Sequence, residues 1–238
     1  MNLTDITLAS AGSDSGAATC RYCGEALETY EADLFGKHYS FPCFGSCGCE
    51  RSRRESEPPM RAETYARAGI GSVYQSLRVP CSEYVEAVRN GRNVFITGPH
   101  GSGKSTLAAS IAMELCDSGV GVRFVNAAIV AQTIKDGFSR GGSDAAERMA
   151  GAPVLVLDDL GAGRPSAWEA SLWYGIIEAR NADRLPTVVA SNYDGSVLIS
   201  RLAAGGDNST AQAIVSRLRG GAMCARLDGL DMRLGGVG

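Results

Sequence analysis

The sequence predicts an α/β fold, a mostly parallel sheet covered by helices on both faces, preceded by a small cysteine-rich unit. Three observations predict it. From Pro80 onward, short apolar runs alternate with helical patterns. The glycine-rich run GPHGSGKST lies between one such strand and one such helix. Five of the eight cysteines crowd between Cys20 and Cys49. Strands separated by helices of this length require crossovers, and crossovers give parallel sheets buried on both faces. Ligands are expected at the carboxyl ends of such strands.

In chain order, CSEYVEAVRNG reads as a helix closed by Gly91, NVFIT as a buried strand, KSTLAASIAMELCDSG as a helix stopped near Gly119, and VRFVN as a second strand. A helix from Ala127 to Lys135 follows, then a glycine-rich loop around Gly141 and Gly142 and the strand PVLVLDD. Next come a helix from about Ser166 to Asn181, the strand PTVVASN, a polar loop through GGDNST, a helix ending near Arg219, and a last strand, AMCARL. The chain thus divides into a flexible start (1–19), the cysteine unit (20–50), a charged, proline-terminated linker (51–60) and the α/β domain (61–238).

Composition narrows the function. Hydrophobic residues at 45% and charged residues at 21% are ordinary for a soluble globular chain. No run of about 18 apolar residues exists, and the opening MNLTDITLASAGSDSG lacks the basic start and apolar stretch of a signal peptide. A cytoplasmic protein without a membrane partner is expected. Residues 1–57 hold five Lys/Arg against nine Asp/Glu, leaving 18 against 17 for the rest. Tight, autonomous binding of duplex DNA needs a basic excess, because phosphate contacts supply most non-specific affinity. Arg123, Lys135, Arg140 and Arg148, between the second and third strands, read equally as DNA-facing cations or as a solvated face.

The run Gly98, Pro99, His100, Gly101, Ser102, Gly103, Lys104, Ser105, Thr106 fits GxxxxGK[ST] at every fixed position. Its glycines let the loop curl so that backbone N–H groups and the helix N-terminus point at phosphates, with Lys104 as a cation and Ser105 as a Mg²⁺ ligand. About fifty residues later an apolar strand ends in two carboxylates. Asp158 is expected to hold the metal, and Asp159 to orient or deprotonate an attacking water.

The cysteine unit opens with CxxCG at Cys20 and Cys23 and closes with Cys43, Cys47 and Cys49. Two short cysteine turns about twenty residues apart bring four thiolates around Zn²⁺, as in a zinc ribbon. All candidate ligands are thiolates, which makes the zinc structural, and so short a segment depends on the metal for its stability. Five cysteines compete for four positions, with His38 nearby. Glu25, Glu28, Glu31 and Asp33 make the unit acidic, which favours a protein partner over nucleic acid. Cys81, Cys116 and Cys224 are isolated and read as core residues.

With these motifs in view, residues 60–238 resemble the DnaC/DnaI-type helicase loaders and the related IstB-type transposition ATPases, a branch of the AAA+ proteins. The likeness rests on AGI near Ile70, the phosphate loop, LDDLG, IIEARNADRLPTVVASN and SRLRGGAMCARLDGLDMR. The resemblance implies an ATPase using ATP and Mg²⁺, with Asn192 as the sensor of the γ-phosphate, Arg217 as an arginine finger for a neighbouring subunit, and Arg233 as a late sensor arginine. Ile70 and Tyr74 would pack the adenine. The closing CxCE is similar to that of zinc-bearing loaders and favours Cys20, Cys23, Cys47 and Cys49 as ligands, with Cys43 as the alternative. The implied partners are a replicative DnaB-type helicase and single-stranded DNA, with self-assembly or assembly on the helicase hexamer. Two departures are notable: Gly163 stands where many relatives carry an acidic residue, and Asp159 where many AAA+ enzymes use Glu, which implies slow hydrolysis. With the sequence ending soon after Arg233, no helical lid is expected. A transposition helper acting on duplex DNA and a non-hydrolysing nucleotide-binding scaffold are the competing expectations.

Overall fold

The computed structural model describes residues 19–20, 22–34, 37–42, 46–50, 58–137, 143–163, 165–203 and 207–228. In the cysteine unit, strands β1 (Thr29–Leu34) and β2 (Lys37–Pro42) pair antiparallel, Thr29 opposite Pro42 and Leu34 opposite Lys37. Helix α1 (Pro58–Ala68) starts inside the stretch expected to be linker, with its proline in the first turn where a missing N–H costs nothing. The short helix α2 (Ser72–Gln75) and then α3 (Ser82–Arg89) lead into the sheet.

The main sheet is built from β3 (Val94–Thr97), β4 (Val122–Asn126), β5 (Val154–Asp158), β6 (Thr187–Ser191) and β7 (Met223–Arg226). They stand in the order β4-β5-β6-β3-β7, every pair parallel. The crossovers are α4 (Lys104–Asp117), α5 (Ala127–Gly137) with α6 (Ser143–Ala150), α7 (Ala167–Ala182), and α8 (Gly195–Ala203) with α9 (Asn208–Arg219).

The period-two alternation of the strands divides the core into two layers. Val94, Ile96, Val154, Val156 and Val188 face α1, α3 and α4, packing on Tyr65, Val85, Ile111 and Leu115. Phe95, Leu155, Leu157 and Val189 face the other layer, packing on Trp173, Ile177, Leu198, Leu202 and Ile214. Each of these strand residues is at most 2% exposed, which at about 1.5–3 kcal/mol for a fully buried large apolar side chain makes the sheet the dominant source of stability.

Beyond Pro80, where the sequence pattern was read element by element, two further helices form where none was expected. The segment read as a polar loop after PTVVASN holds α8, because Leu198 and Leu202, four residues apart, both bury against the sheet, and Asp194 Oδ1 accepts the Val197 N–H at 3.0 Å as a cap. Helix α6 forms just after the glycine-rich loop, with Met149 buried; Gly141 and Gly142 lie outside the described residues. No described helix is long and apolar enough to cross a membrane.

Candidate nucleotide site and metal centre

The glycine-rich run leaves the carboxyl end of β3, between β6 and β7. Gly98 is required by contact, since a Cβ there would lie 2.3 Å from the Leu227 carbonyl oxygen. Gly103, the N-cap of α4, has φ +89°, a conformation that costs glycine nothing. Lys104 is 5% exposed and turns back to donate from Nζ to the Pro99 carbonyl at 2.5 Å. The buried Ser102 hydroxyl has no hydrogen-bond partner. Pro99 and His100 are exposed at the tip, and Thr106 is half-buried in the first turn of α4. A loop with an unused buried hydroxyl and a lysine folded onto its own backbone has the donors that a phosphate chain takes up.

Across from it, Asp158 ends β5 and accepts a hydrogen bond from Ser105 Oγ at 2.9 Å. Burial pushes the Asp158 carboxyl up to about 6, and the neighbouring Asp159 charge adds to this, against the lowering effect of the Ser105 hydrogen bond and Lys104. A raised carboxyl beside a hydroxyl fits a cation site, because Mg²⁺ takes oxygen donors of this kind. Asp159 turns the corner in left-handed backbone, φ +58°, and donates its N–H to Asp158 Oδ1 at 3.1 Å. Its own Oδ2 accepts from Asn126 Nδ2 at 3.3 Å. Asn126 ends β4 in register with Asp158, so the parallel pairing brings the amide to the carboxylates. Sequence reasoning missed Asn126; the signal was a polar residue closing the strand VRFVN.

The other expected site residues separate. Asn192 follows Ser191, the last residue of β6, and so emerges between the strand of Asp158 and the strand of the glycine-rich loop. Ser191 Oγ pins that corner by donating to the Leu160 carbonyl at 2.8 Å. Ile70 is 2% exposed in the core and Tyr74 stands 6.3 Å from the Phe124 ring, centroid to centroid. A cleft of about 270 Å³ beside the loop is lined instead by Val79, Pro80, Tyr84, Thr106, Leu107 and Leu227, among others. Arg217 lies on α9 at the far end of the sheet, ion-paired with Glu178 and 5.4 Å from the centre of the Tyr174 ring. Arg233 lies outside the described residues.

In the cysteine unit, the Sγ atoms of Cys20, Cys23, Cys47 and Cys49 all lie within 4.8 Å of one another. The first knuckle closes through Gly24 N–H to the Cys20 carbonyl at 2.7 Å and Cys20 N–H to the Glu25 carbonyl at 2.7 Å. Cys20 and Cys49 sulfurs are 3.7 Å apart, close to the edge of about 3.8 Å for a tetrahedron of thiolates with Zn–S near 2.3 Å. The Tyr22 backbone N–H holds the Cys20 thiol down to about 6. Cys23 is drawn down by the Glu25 N–H but pushed up to about 12 overall by desolvation and the other three sulfurs. Four thiols brought this close fit a cation that takes thiolates. Cys43 and the side chain of His38 lie outside the described residues.

A family model of IstB-like ATP-binding proteins matches residues 79–235. The replicative helicase loader DnaC of Escherichia coli strain K12 is 25% identical over 158 residues, covering 58% of this chain and 64% of that protein. The chain therefore matches just under two thirds of that relative's length. Among solved structures, a DnaC helicase loader superposes with a TM-score of 0.55 at 22% identity, over 66% of this chain and all of that one. DnaI gives 0.52 at 25%, over 63% of this chain and 79% of that one. AMPPCP-bound DnaA from Aquifex aeolicus gives 0.52 at 20%, over 66% and 46%. The DnaC and DnaA superpositions show a shared fold of five parallel strands between helices. The family match begins after the cysteine cluster.

Proposed function

Because this chain belongs to the IstB-like ATP-binding protein family, we propose that it is an ATP-controlled helicase loader, binding Mg-ATP and delivering or remodelling a replicative DnaB-type helicase on single-stranded DNA. The observation that carries the reading is the pairing of two sites in one chain. Ser105 and Asp158 meet at the nucleotide end of the sheet, and four cysteines cluster in an acidic front unit that suits a protein partner. The similarity to DnaC over the sheet domain supports it.

Backbone N–H groups of residues 98–106 and the start of α4 take the phosphates, with Lys104 released from Pro99 to pair with them. Ser105 and Asp158 would hold Mg²⁺, which would supply positive charge against the phosphates. Asp159, steadied by Asn126, orients the water and accepts its proton as the oxygen attacks the γ-phosphorus and the bond to the bridging oxygen breaks. Asn192 senses the γ-phosphate from the neighbouring strand end. The cleft of Val79, Tyr84 and Leu227 receives the adenine, with Ile70 and Tyr74 supporting the segment that leads into α3 rather than lining the cleft. Arg217, on the far end of the sheet, acts on the nucleotide of a neighbouring copy, so the ATPase site is complete only in an assembly; Arg233 belongs to the same proposal as the late sensor. The short side chain of Asp159 makes hydrolysis slow, as suits a switch.

Cys20, Cys23, Cys47 and Cys49 would hold Zn²⁺, which would cross-link the two knuckles flanking the β1–β2 hairpin. The test is retention of a DnaB-type helicase by tagged full-length protein with and without ATP, together with calorimetric titration of ATP. Helicase retained in the ATP state supports the reading. ATP binding without helicase retention removes the partner, and ATP-dependent filaments on duplex DNA would replace it with a transposition role.

A further inference from the structure

At the end of the sheet opposite the nucleotide loop lies a second cavity of about 270 Å³, which the proposed function does not use. It opens where Asn93 enters β3, Thr187 enters β6 and Gly221 precedes β7. The chain's own nucleotide loop leaves the other end of β3, roughly 13 Å away along a four-residue strand at about 3.3 Å per residue, so the two sites cannot share one phosphate chain. Four arginines, Arg92, Arg180, Arg184 and Arg217, line the cavity, and among the described residues no carboxylate does. Glu178 pairs with Arg217 from outside that lining.

The arginines are differently held. Arg180 is 1% exposed, and its guanidinium donates to five oxygens: Thr187 Oγ1 and the carbonyls of Met149, Ala150, Ala152 and Pro186. Burial lowers it to about 10, which leaves it charged at neutral pH, a fixed positive wall held by neutral oxygen acceptors. Arg92 is anchored on the rim by Nε donating to the Gly221 carbonyl at 3.0 Å. Arg184 is the informative one. It follows Asp183, the C-cap of α7, with φ +55°, the left-handed position that helix ends ordinarily give to glycine or asparagine. Its N–H still closes the helix end on the Asn181 carbonyl at 3.3 Å. A long cation held where glycine would relieve the backbone is a local rule broken in favour of its side chain, and such breaks gather at functional sites.

We infer that this cavity is a phosphate-chain site, in which Arg92 and Arg184 join Arg217 in gripping a di- or triphosphate. Guanidinium forks match phosphate oxygens, and a concave, single-sign pocket concentrates their field. Among the described residues no aromatic side chain lines the cavity to stack a base, which favours the phosphate end of a nucleotide over its nucleoside. The phosphates come either from the nucleotide of a second copy of this chain or from a free polyphosphate. The first source rests on the proposed ATP-driven assembly, and names two trans-acting cations beyond Arg217.

The experiment uses full-length protein carrying Lys104→Ala, which disables the chain's own phosphate loop, titrated calorimetrically with pyrophosphate. Saturable binding is expected, weakened about tenfold by Arg184→Gly and by Arg92→Gln, the loss expected for one charge-assisted contact. Arg184→Gly should melt no lower than its parent, since the glycine relaxes the backbone, so lost binding is not lost folding. No saturable heat, or an affinity that neither substitution changes, overturns the inference. Mixing then distinguishes the sources. If Arg184→Gly protein with an intact phosphate loop regains ATP hydrolysis on addition of Lys104→Ala protein, the phosphates are the neighbour's; pyrophosphate binding without such recovery assigns the cavity to free polyphosphate. ATP titration of the intact-loop protein alone reports separately on the proposed function.

Discussion

The cysteine unit and the sheet domain solve the same problem by different physics. Among the side chains whose burial is described in the cysteine unit, which leave out those of residues 29–42, Cys20 and Leu27 are buried, whereas the sheet domain buries two continuous layers on either side of β3, β5 and β6. About thirty residues cannot remove enough apolar surface from water to offset chain entropy, and the proposed zinc site would supply what is missing. The electrostatics differ in the same sense. A backbone N–H pulls the Cys20 thiol down toward the charged form a metal takes, while burial pushes the Asp158 carboxyl up toward the neutral form. A unit held by ligands and one held by burial should therefore fail independently.

The largest expected effect breaks the pair apart. A Cys20→Ser, Cys47→Ser protein should lose all bound zinc by elemental analysis and all helicase retention, because structural zinc contributes on the order of 10 kcal/mol to such units. Its ATP affinity should stay unchanged, and a concurrent loss of ATP binding would show that the two units fold as one. In the opposite direction, Leu157→Ala, at a side chain with no exposed surface, should lower the stability of the sheet domain by about 3 kcal/mol in denaturant melts. Zinc content should not change.

A smaller effect sharpens the electrostatic contrast. The Asp158 carboxyl ordinarily titrates near 3.8 and in the folded chain near 6, so between those values the folded state keeps a proton that the unfolded state has released. Without Mg²⁺, the contribution of this residue to stability should fall as pH rises from about 4 to 6 and stay flat above, by at most about 3 kcal/mol. The difference in melting between wild type and Asp158→Asn, measured at pH 4 and pH 7, reads it directly; equal differences at both would remove the assignment. The smallest effect is local. Ser166 N–H donates to Glu169 Oε2 at 2.6 Å and Ser166 Oγ accepts from the Glu169 N–H at 3.3 Å, a reciprocal cap on α7. Ser166→Ala should cost about 1 kcal/mol and leave zinc and ATP affinity untouched.

What was legible in the chain was local. The loop from Gly98 to Thr106 declares itself because its glycines, Lys104 and Ser105 each answer to a backbone or phosphate requirement within a few positions. The strands NVFIT and PVLVLDD show as apolar runs because parallel strands bury both faces. The resemblance favoured Cys20, Cys23, Cys47 and Cys49, and the structure brings those four sulfurs together. By contrast α8 was hidden by polar, turn-forming neighbours, since Leu198 and Leu202 count as a helical face only once the sheet stands opposite them.

Sequence alone determined the identity of the chemistry: a phosphate loop, a pair of carboxylates ending a strand, and thiols in knuckle spacing, each a matter of near neighbours. Tertiary structure decided which distant residues meet. Strand register set Asn126 against Asp159, the return of β7 laid Leu227 beside Gly98, and the start of three strands gathered Arg92, Arg184 and Arg217 at the far edge. Parallel crossovers place residues more than about a hundred positions apart at one sheet end, as with Gly98 and Leu227, and no local pattern encodes that meeting because its energy lies in burying the sheet itself.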